Sequence, residues 1–512
     1  METAAPRELL ERRSTFSIVS AVALVLFGIT NLPWQLGDYD QAKQAFTSLE
    51  MVQEGGWLYQ RTPNEFVATK PPAVGWISAG SFALTRSWDL SWRLPSFIAA
   101  LTLMALLAGA AKNAYGTTAA LLATGAFAFN LMTPRLATLV RTDMPLALVI
   151  FLLGWKIWEK IRRRETWDAS AQGRMFLLLT GAMLIKGPIV FAFLFPGIVL
   201  FQLRSGRLRH NASAWFGLWP WLLSLAVFAL WCAGGILFVN GFYEQVVLRE
   251  FAGRFDGETH RAQPIYFYVP HLLHKFAPWS LLLVGLAVAK LRAGKFREAW
   301  ARISPETFWL VCWSLGGLVV MSLVPSKRVD RIFPVIPPLC LLLAAQFAEP
   351  WRDPAIRARA RRWYTLSLCL AAIFTLGYSV MKIYLAARHP DELVAFSAAV
   401  RNEAQQQHWR RYEVMRGHDE RLLVYLRRTH FIDAETAAAE WAANRLDAVV
   451  VPNDEVPRML RELPGAIPAS IELKGRAKEK GLYTVLKRSG PALSRGKPKT
   501  FLDLLRPQNN LA

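Results

Sequence analysis

The sequence predicts an α-helical polytopic membrane protein of about eleven transmembrane helices with a C-terminal soluble α/β domain, and three observations carry that class. Hydrophobic residues make up 53% of the 512 and aromatic residues 12%, above what a water-soluble chain usually carries. Uncharged apolar runs long enough to cross a bilayer recur between residues 16 and 381. The basic residues behind the formal net charge of +22 gather in short loops between those runs. That is the positive-inside pattern, so the basic excess is assigned to topology and no nucleic-acid partner is expected.

Residues 1–13, with Arg7, Arg12 and Arg13, precede an apolar run at 16–32. No small-x-small cleavage site follows, so the run reads as a retained first span with a cytoplasmic N-terminus. A polar stretch from Gly37 to Pro72 comes next. Within it Ala42, Phe46, Leu49, Met51 and Val52 have the spacing of an amphipathic helix, expected to lie along a membrane surface. The apolar piece at 73–85 would be about 20 Å long as a helix, too short to span, and is placed as an interfacial or re-entrant helix. Further spans are predicted at about 94–111, 116–133, 144–158, 175–185, 187–203, 214–238, 271–289, 307–323, 332–348 and 363–381. Basic residues at 112, 160–164, 204–209, 290–297 and 352–362 fall in alternate loops, which assigns those loops to the cytoplasm. The two runs flanking Lys186 are read as a hairpin, because a single span would put one of the basic loops at 160–164 and 204–209 outside.

Beyond about Arg388 the character changes to that of a soluble domain. Short buried strands are predicted at 413–415 and 448–451, a helix at 434–446, and a strand pair at 470–473 and 482–486. The expected organisation is a transmembrane domain over 1–387 with a large first external loop at 33–91, an external α/β domain over 388–486, and a basic disordered tail over 487–512. Cys232, Cys312, Cys340 and Cys369 sit inside apolar runs without metal or disulfide spacing and read as small hydrophobes. No repeat of 20–50 residues, Gly-rich phosphate loop, GxSxG elbow or metal-spaced His/Cys set occurs in the sequence.

The remaining charges carry the functional information. Segments 144–155, 212–243 and 307–325 contain no Asp, Glu, Lys or Arg, whereas an ion-coupled transporter needs ionisable groups at mid-membrane. Asp38, Asp40, Lys70, Arg141, Asp143, Lys186, His260, Arg261, Lys327, Arg328, Asp330 and Arg331 instead fall in the loops and span ends on the outward side. Outward loops should be poor in Lys and Arg, so this set points to an anion site at the outer membrane interface. Each member also has a structural reading: Lys70 as a snorkelling lysine, Asp143 as a complement to its helix dipole, residues 326–328 as a solvated cluster. Tyr266, Tyr268 and Trp279 read as interfacial aromatic anchors.

Asp38-Tyr39-Asp40 after the first span, Lys70-Pro71-Pro72, Thr142-Asp143-Met144-Pro145 and Ile185-Lys186-Gly187-Pro188 together resemble the GT-C superfamily of polyprenyl-phosphate-sugar glycosyltransferases. Within it the chain is similar to the bacterial aminoarabinose (lipid A) transferases and the protein O-mannosyltransferase group. His260-Arg261 leading to Gln263-Pro264-Ile265-Tyr266-Phe267-Tyr268, and Ser326-Lys327 leading to Phe333-Pro334, extend the resemblance over about residues 14–350. Two departures matter. Gln41 and Thr69 stand where the family often has carboxylates, and Arg328-Val329-Asp330-Arg331 replaces its usual Tyr context.

The resemblance implies inverting transfer of a sugar from a polyprenyl-phosphate donor to a hydroxyl or phosphate of a lipid, glycan or protein acceptor, at the external face of the inner membrane. It makes Asp40 the general base and Asp143 the residue that orients base or acceptor. Lys70, Lys186, His260, Arg261, Tyr266, Tyr268, Lys327 and Arg331 become the substrate-binding set. The residue types fit, because a departing phosphate monoester needs cations more than a proton donor, and a hydroxyl nucleophile needs a carboxylate to take its proton. No cofactor is required by the sequence; a divalent metal is admitted without support from the residues. A flippase of lipid-linked sugars would share the anion recognition but needs a polar path that the charge-free spans do not offer. A membrane scaffold leaves the outward basic set unexplained. The sugar, the acceptor and the oligomeric state are not legible.

Overall fold

The computed structural model describes residues 13–205, 214–254, 262–292, 294, 296–346, 354–389, 391–417, 419–473 and 483–489. In chain order the helices begin α1 (Arg13–Ile29), α2 (Tyr39–Gln53), α3 (Ala73–Thr85), α4 (Trp88–Ser91), α5 (Leu94–Tyr115), α6 (Thr117–Ala128), α7 (Thr133–Ala137) and α8 (Asp143–Arg163). They continue with α9 (Ala169–Lys186), α10 (Ile189–Ser205), α11 (Trp219–Phe238), α12 (Tyr268–Lys275), α13 (Trp279–Arg292), α14 (Phe296–Ala301), α15 (Pro305–Leu323), α16 (Ile336–Gln346) and α17 (Pro354–Arg388). The C-terminal part holds α18 (Glu392–Gln406), β1 (Tyr412–Val414), α19 (Arg421–Leu426), α20 (Ala434–Ala442), β2 (Ala448–Pro452), α21 (Val456–Glu462), β3 (Ala466–Leu473) and β4 (Tyr483–Arg488). A π-helix at Tyr243–Phe251 and a 3-10 helix at Val329–Val335 complete the helical part relevant to the site.

The chain divides into two compact units. The first takes the described residues of 13–32, 69–81 and 85–384, and is helical. Among the described residues five of its helical stretches are long and apolar enough to cross a membrane: α5, α11, α15, Val329–Gln346 and Arg362–Arg388 within α17. The α12–α13 pair makes a sixth if counted as one broken span, and Ser14–Ile29, Thr117–Ala128 and Ile189–Arg204 are apolar but shorter. The protein is therefore a multi-pass membrane protein.

Two predicted spans come out interrupted. The run at 271–289 is two helices bent by 106°, because Pro278 has no N–H to continue a helical ladder and its ring crowds the preceding turn. The run at 116–133 stops as a helix at Ala128, where Asn130 turns the chain. Its Nδ2 donates to the carbonyls of Ala126 and Phe127 at 2.9 and 2.8 Å, and its Oδ1 accepts from Met132 and Thr133 N at 2.9 Å. The hairpin at Lys186 is present: α9 ends there, Gly187 adopts φ +73, and α10 starts at Ile189. The α10 and α15 backbones pack against each other directly: a Cβ on Gly316 would stand 2.5 Å from Gly197 N, so only glycine lets them meet.

The second unit takes residues 33–68 and 82–84 together with the described residues from 385 onward. The polar stretch after the first span, grouped by the sequence with the transmembrane domain, thus clusters with C-terminal residues. Asp38 caps α2, accepting from Gln41 N at 3.0 Å. Ala42, Phe46, Leu49 and Met51 are buried, and α2 packs on α19; this face is covered by protein, not laid on a membrane as its spacing suggested. Four strands form a mixed sheet in the order β1-β2-β4-β3, with β1 and β2 parallel and the other pairs antiparallel. Val449, Val450 and Val451 are fully buried, as a central strand covered on both faces requires. Trp441, Met459, Leu463 and Leu486 fill the core on one side.

Candidate active site

The charged set of the first unit is assembled by helix ends. Asp143 opens α8, where the unsatisfied backbone N–H groups favour a carboxylate, and Lys186 closes α9, where the carbonyl end favours a cation. Both side chains are about nine-tenths buried, and Lys186 Nζ lies 2.5 Å from Asp143 Oδ1. Burying either charge alone would cost several kcal/mol, so each requires the other. Gly187 permits the sharp exit, because its left-handed φ would strain any side-chain-bearing residue. The charges of Lys70, just before α3, and of Arg141 also bear on Asp143. One buried carboxylate is thereby surrounded by cations contributed from three separate parts of the sequence.

The segment at 324–331 forms the neighbouring part. Lys327 is buried and its Nζ donates to the Gln263 carbonyl at 2.9 Å. Ala262 and Ser326 form an antiparallel bridge, and Gln263 N donates to the Pro325 carbonyl at 3.1 Å, so the Gln263–Tyr268 motif is tied to the Ser326-Lys327 motif. Arg331 folds back, its Nη1 donating to Ser326 O at 2.8 Å and to Ser326 Oγ at 3.2 Å. Tyr268 is fully buried, and the charges of Arg331 and Asp143 both reach its phenol group.

Asp40 belongs to the second unit, in the first turn of α2 and half-buried. The cap is made by Asp38, so the two carboxylates of the Asp-Tyr-Asp sequence have different surroundings. At the other end of α2, Glu50 is buried and accepts from Arg61 N at 2.5 Å; loss of solvation pushes its carboxyl up to about 7 against that bond.

Of the sequence-predicted site residues, Lys70, Asp143, Lys186, Tyr268, Lys327 and Arg331 lie in the first unit with the links described. His260 and Arg261 lie outside the described residues. Tyr266 is exposed. Tyr268 and Trp279 are not interfacial anchors: both are fully buried, and Trp279 Nε1 donates to Phe129 O at 2.8 Å. Burial with a satisfied indole N–H makes Trp279 a core residue.

The sequence profile of the family described as dolichyl-phosphate-mannose-protein mannosyltransferase matches residues 69–232, which contain Lys70, Arg141, Asp143 and Lys186. The chain is 26% identical over 395 residues to an undecaprenyl phosphate-alpha-4-amino-4-deoxy-L-arabinose arabinosyl transferase of Pectobacterium carotovorum subsp. carotovorum, covering 73% of this chain and 67% of that protein. The namesake of Pectobacterium atrosepticum is also 26% identical, over 68% of this chain and 62% of its own length. The chain thus spans about two thirds of the length of these relatives. Among solved structures, ArnT from Cupriavidus metallidurans bound to undecaprenyl phosphate superimposes with a TM-score of 0.64 at 18% identity, over 94% of this chain and 99% of that one. Its apo form gives 0.58. The chain is thus similar in sequence to arabinosyl transferases that use an undecaprenyl-phosphate sugar, and in fold to ArnT.

Against the GT-C pattern, two features of this chain stand out. Among the described residues no three His, Cys, Asp or Glu side chains are grouped to hold a metal, and Gln41 and Thr69 supply no carboxylate. The other feature was hidden from sequence reading. Asp330 is gripped by Arg135 Nη1 at 2.8 Å and Arg141 Nη1 at 3.0 Å, so part of the outward basic set is neutralised internally. Arg135 lies in a short helix of an apolar region, and its sequence neighbours carry no sign of that pairing.

Proposed function

We propose that this chain is an inverting glycosyltransferase that moves a sugar from a polyprenyl-phosphate donor to a hydroxyl or phosphate of a lipid, glycan or protein acceptor. The buried Lys186–Asp143 pair, set among further cations at helix ends, is the observation that carries the reading. A phosphate held out of water while negative charge develops on it needs such a group. Lys70, Lys327, Arg331 and Arg261 are the cations assigned to the donor phosphate, with Lys186 divided between that role and its bond to Asp143. Asp143 orients this cationic set. Asp40, in the first turn of α2, takes the acceptor proton as the C1–O bond to phosphate breaks and the new glycosidic bond forms. The leaving polyprenyl phosphate departs as the anion that the cations stabilise.

In this reading eleven spans place the N-terminus in the cytoplasm, and the active site and the C-terminal domain at the external face of the inner membrane. Flipping without chemistry is disfavoured by the charge-free span interiors. Purified protein given a polyprenyl-phosphate sugar and an acceptor lipid should release polyprenyl phosphate. Asp40→Asn should lower that release by about 10²–10⁴-fold while donor binding stays near the parent's. Near-normal turnover of Asp40→Asn would remove Asp40 as the base.

A further inference from the structure

A second group of cations lies in the first unit, and the reaction proposed above does not use it. Asn31, just after α1, is its hub. Its Oδ1 accepts from Lys382 Nζ at 2.8 Å, and its Nδ2 donates to the Arg135 carbonyl at 2.6 Å and to Thr138 Oγ1 at 2.8 Å. Arg135 reaches Asp330, and Asp330 is shared with Arg141. Lys275, at the end of α12, joins through its backbone, its carbonyl accepting from Leu131 N at 3.0 Å. The charge of Arg135 opposes those of both Lys275 and Lys382, and Asp330 is the carboxylate acting on each.

Among the described residues, then, Arg135, Arg141, Lys275 and Lys382 surround one carboxylate that two arginines already hold. Like charges kept half-buried repel one another, and a bound anion removes that cost. The flanking surface is apolar and open: Val380, Met381 and Tyr384 beside Lys382, and Leu281 and Val284 on α13, are all exposed. On a multi-pass protein such a surface faces lipid tails, which places the cations near the end of α17 at headgroup depth.

We propose that Arg135, Lys275 and Lys382 form a phosphate-binding site at the membrane surface, distinct from the Asp143–Lys186 group, with Arg141 lying between the two. A phospholipid headgroup or free phosphate presents the same chemistry to these three side chains. The test uses the full chain in nanodiscs of mixed phosphatidylglycerol and phosphatidylcholine, with retained lipid read by native mass spectrometry. The parent should retain phosphatidylglycerol preferentially, and Lys275→Gln and Lys382→Gln should each weaken that retention about fivefold. Arg163→Gln, at the exposed end of α8, and Lys70→Ala should leave it unchanged. Lys382 also holds Asn31, so Lys275→Gln carries the test if Lys382→Gln does not fold. Displacement of the lipid by millimolar inorganic phosphate would identify free phosphate as a ligand of the same site, and its failure would assign the lipid; either result upholds the site. Equal retention by the parent and Lys275→Gln, or loss in Lys70→Ala instead, overturns it.

Discussion

At the scale of single residues, neighbours in sequence take on different work because their surroundings differ. Asp38 caps α2, whereas Asp40, two positions on, lies half-buried in the first turn without making that cap. Lys186 and Asp143, 43 residues apart, become one buried pair. Glu50 is the residue whose titration should be visible in stability. Its carboxyl is raised from the usual 4.5 to about 7 by burial, so the folded state binds its proton more tightly than the unfolded chain does. Below pH 4.5 the group is neutral in both states and costs nothing; stability then falls as pH rises, and the full cost, about 3 kcal/mol, is present above pH 7. Glu50→Gln should therefore be more stable than the parent at pH 8 and indistinguishable from it near pH 4.5, read as thermal unfolding of detergent-solubilised protein. A difference that does not change with pH would contradict the burial argument.

At the scale of elements, interruptions and close approaches matter more than propensity. Pro278 breaks one apolar run into two helices at 106°, and Asn130 ends another by satisfying the backbone with its own amide. The α10–α15 contact rests on Gly197 and Gly316, whose backbones touch without an intervening side chain. A methyl on Gly316 meets Gly197 N at 2.5 Å and Gly197 Cα at 2.9 Å, both of them backbone atoms that cannot rotate away. Gly316→Ala should cost about 1–3 kcal/mol through displacement of the two helices. Gly109→Ala in α5, with nothing within 4 Å of the new methyl, should be tolerated. Thermal unfolding of both variants in the same detergent separates the outcomes, and equal midpoints would show that the helices yield.

At the scale of the whole molecule, the two units follow from where apolar surface can be buried. Long apolar helices require lipid or one another, while the mixed sheet and α2 enclose ordinary protein cores. The loop charges make a definite statement about orientation: truncation fusions of a compartment-sensitive reporter at Arg163 and after Glu413 should report opposite sides of the membrane. The same answer from both would dismantle the eleven-span arrangement.

The sequence by itself determined that this chain is a multi-pass membrane protein, where helices such as α3, α5, α8, α15 and α20 start, and which charges are unusual. Those features depend on local hydropathy and on charges that must be accounted for wherever they occur. It also carried the family resemblance, because Lys70-Pro71-Pro72, Thr142-Asp143 and Ile185-Lys186-Gly187 are short contiguous motifs. Only the tertiary structure decided which charges pair. Lys186 with Asp143, and Asp330 with Arg135 and Arg141, are contacts between distant segments that no periodicity encodes. The same holds for burial of α2 against α19, since an amphipathic face has the same spacing whether protein or lipid covers it. Tyr268 and Trp279 make the point from the other side: an aromatic residue near a span end can anchor at the interface or fill a core, and only its neighbours in space distinguish the two.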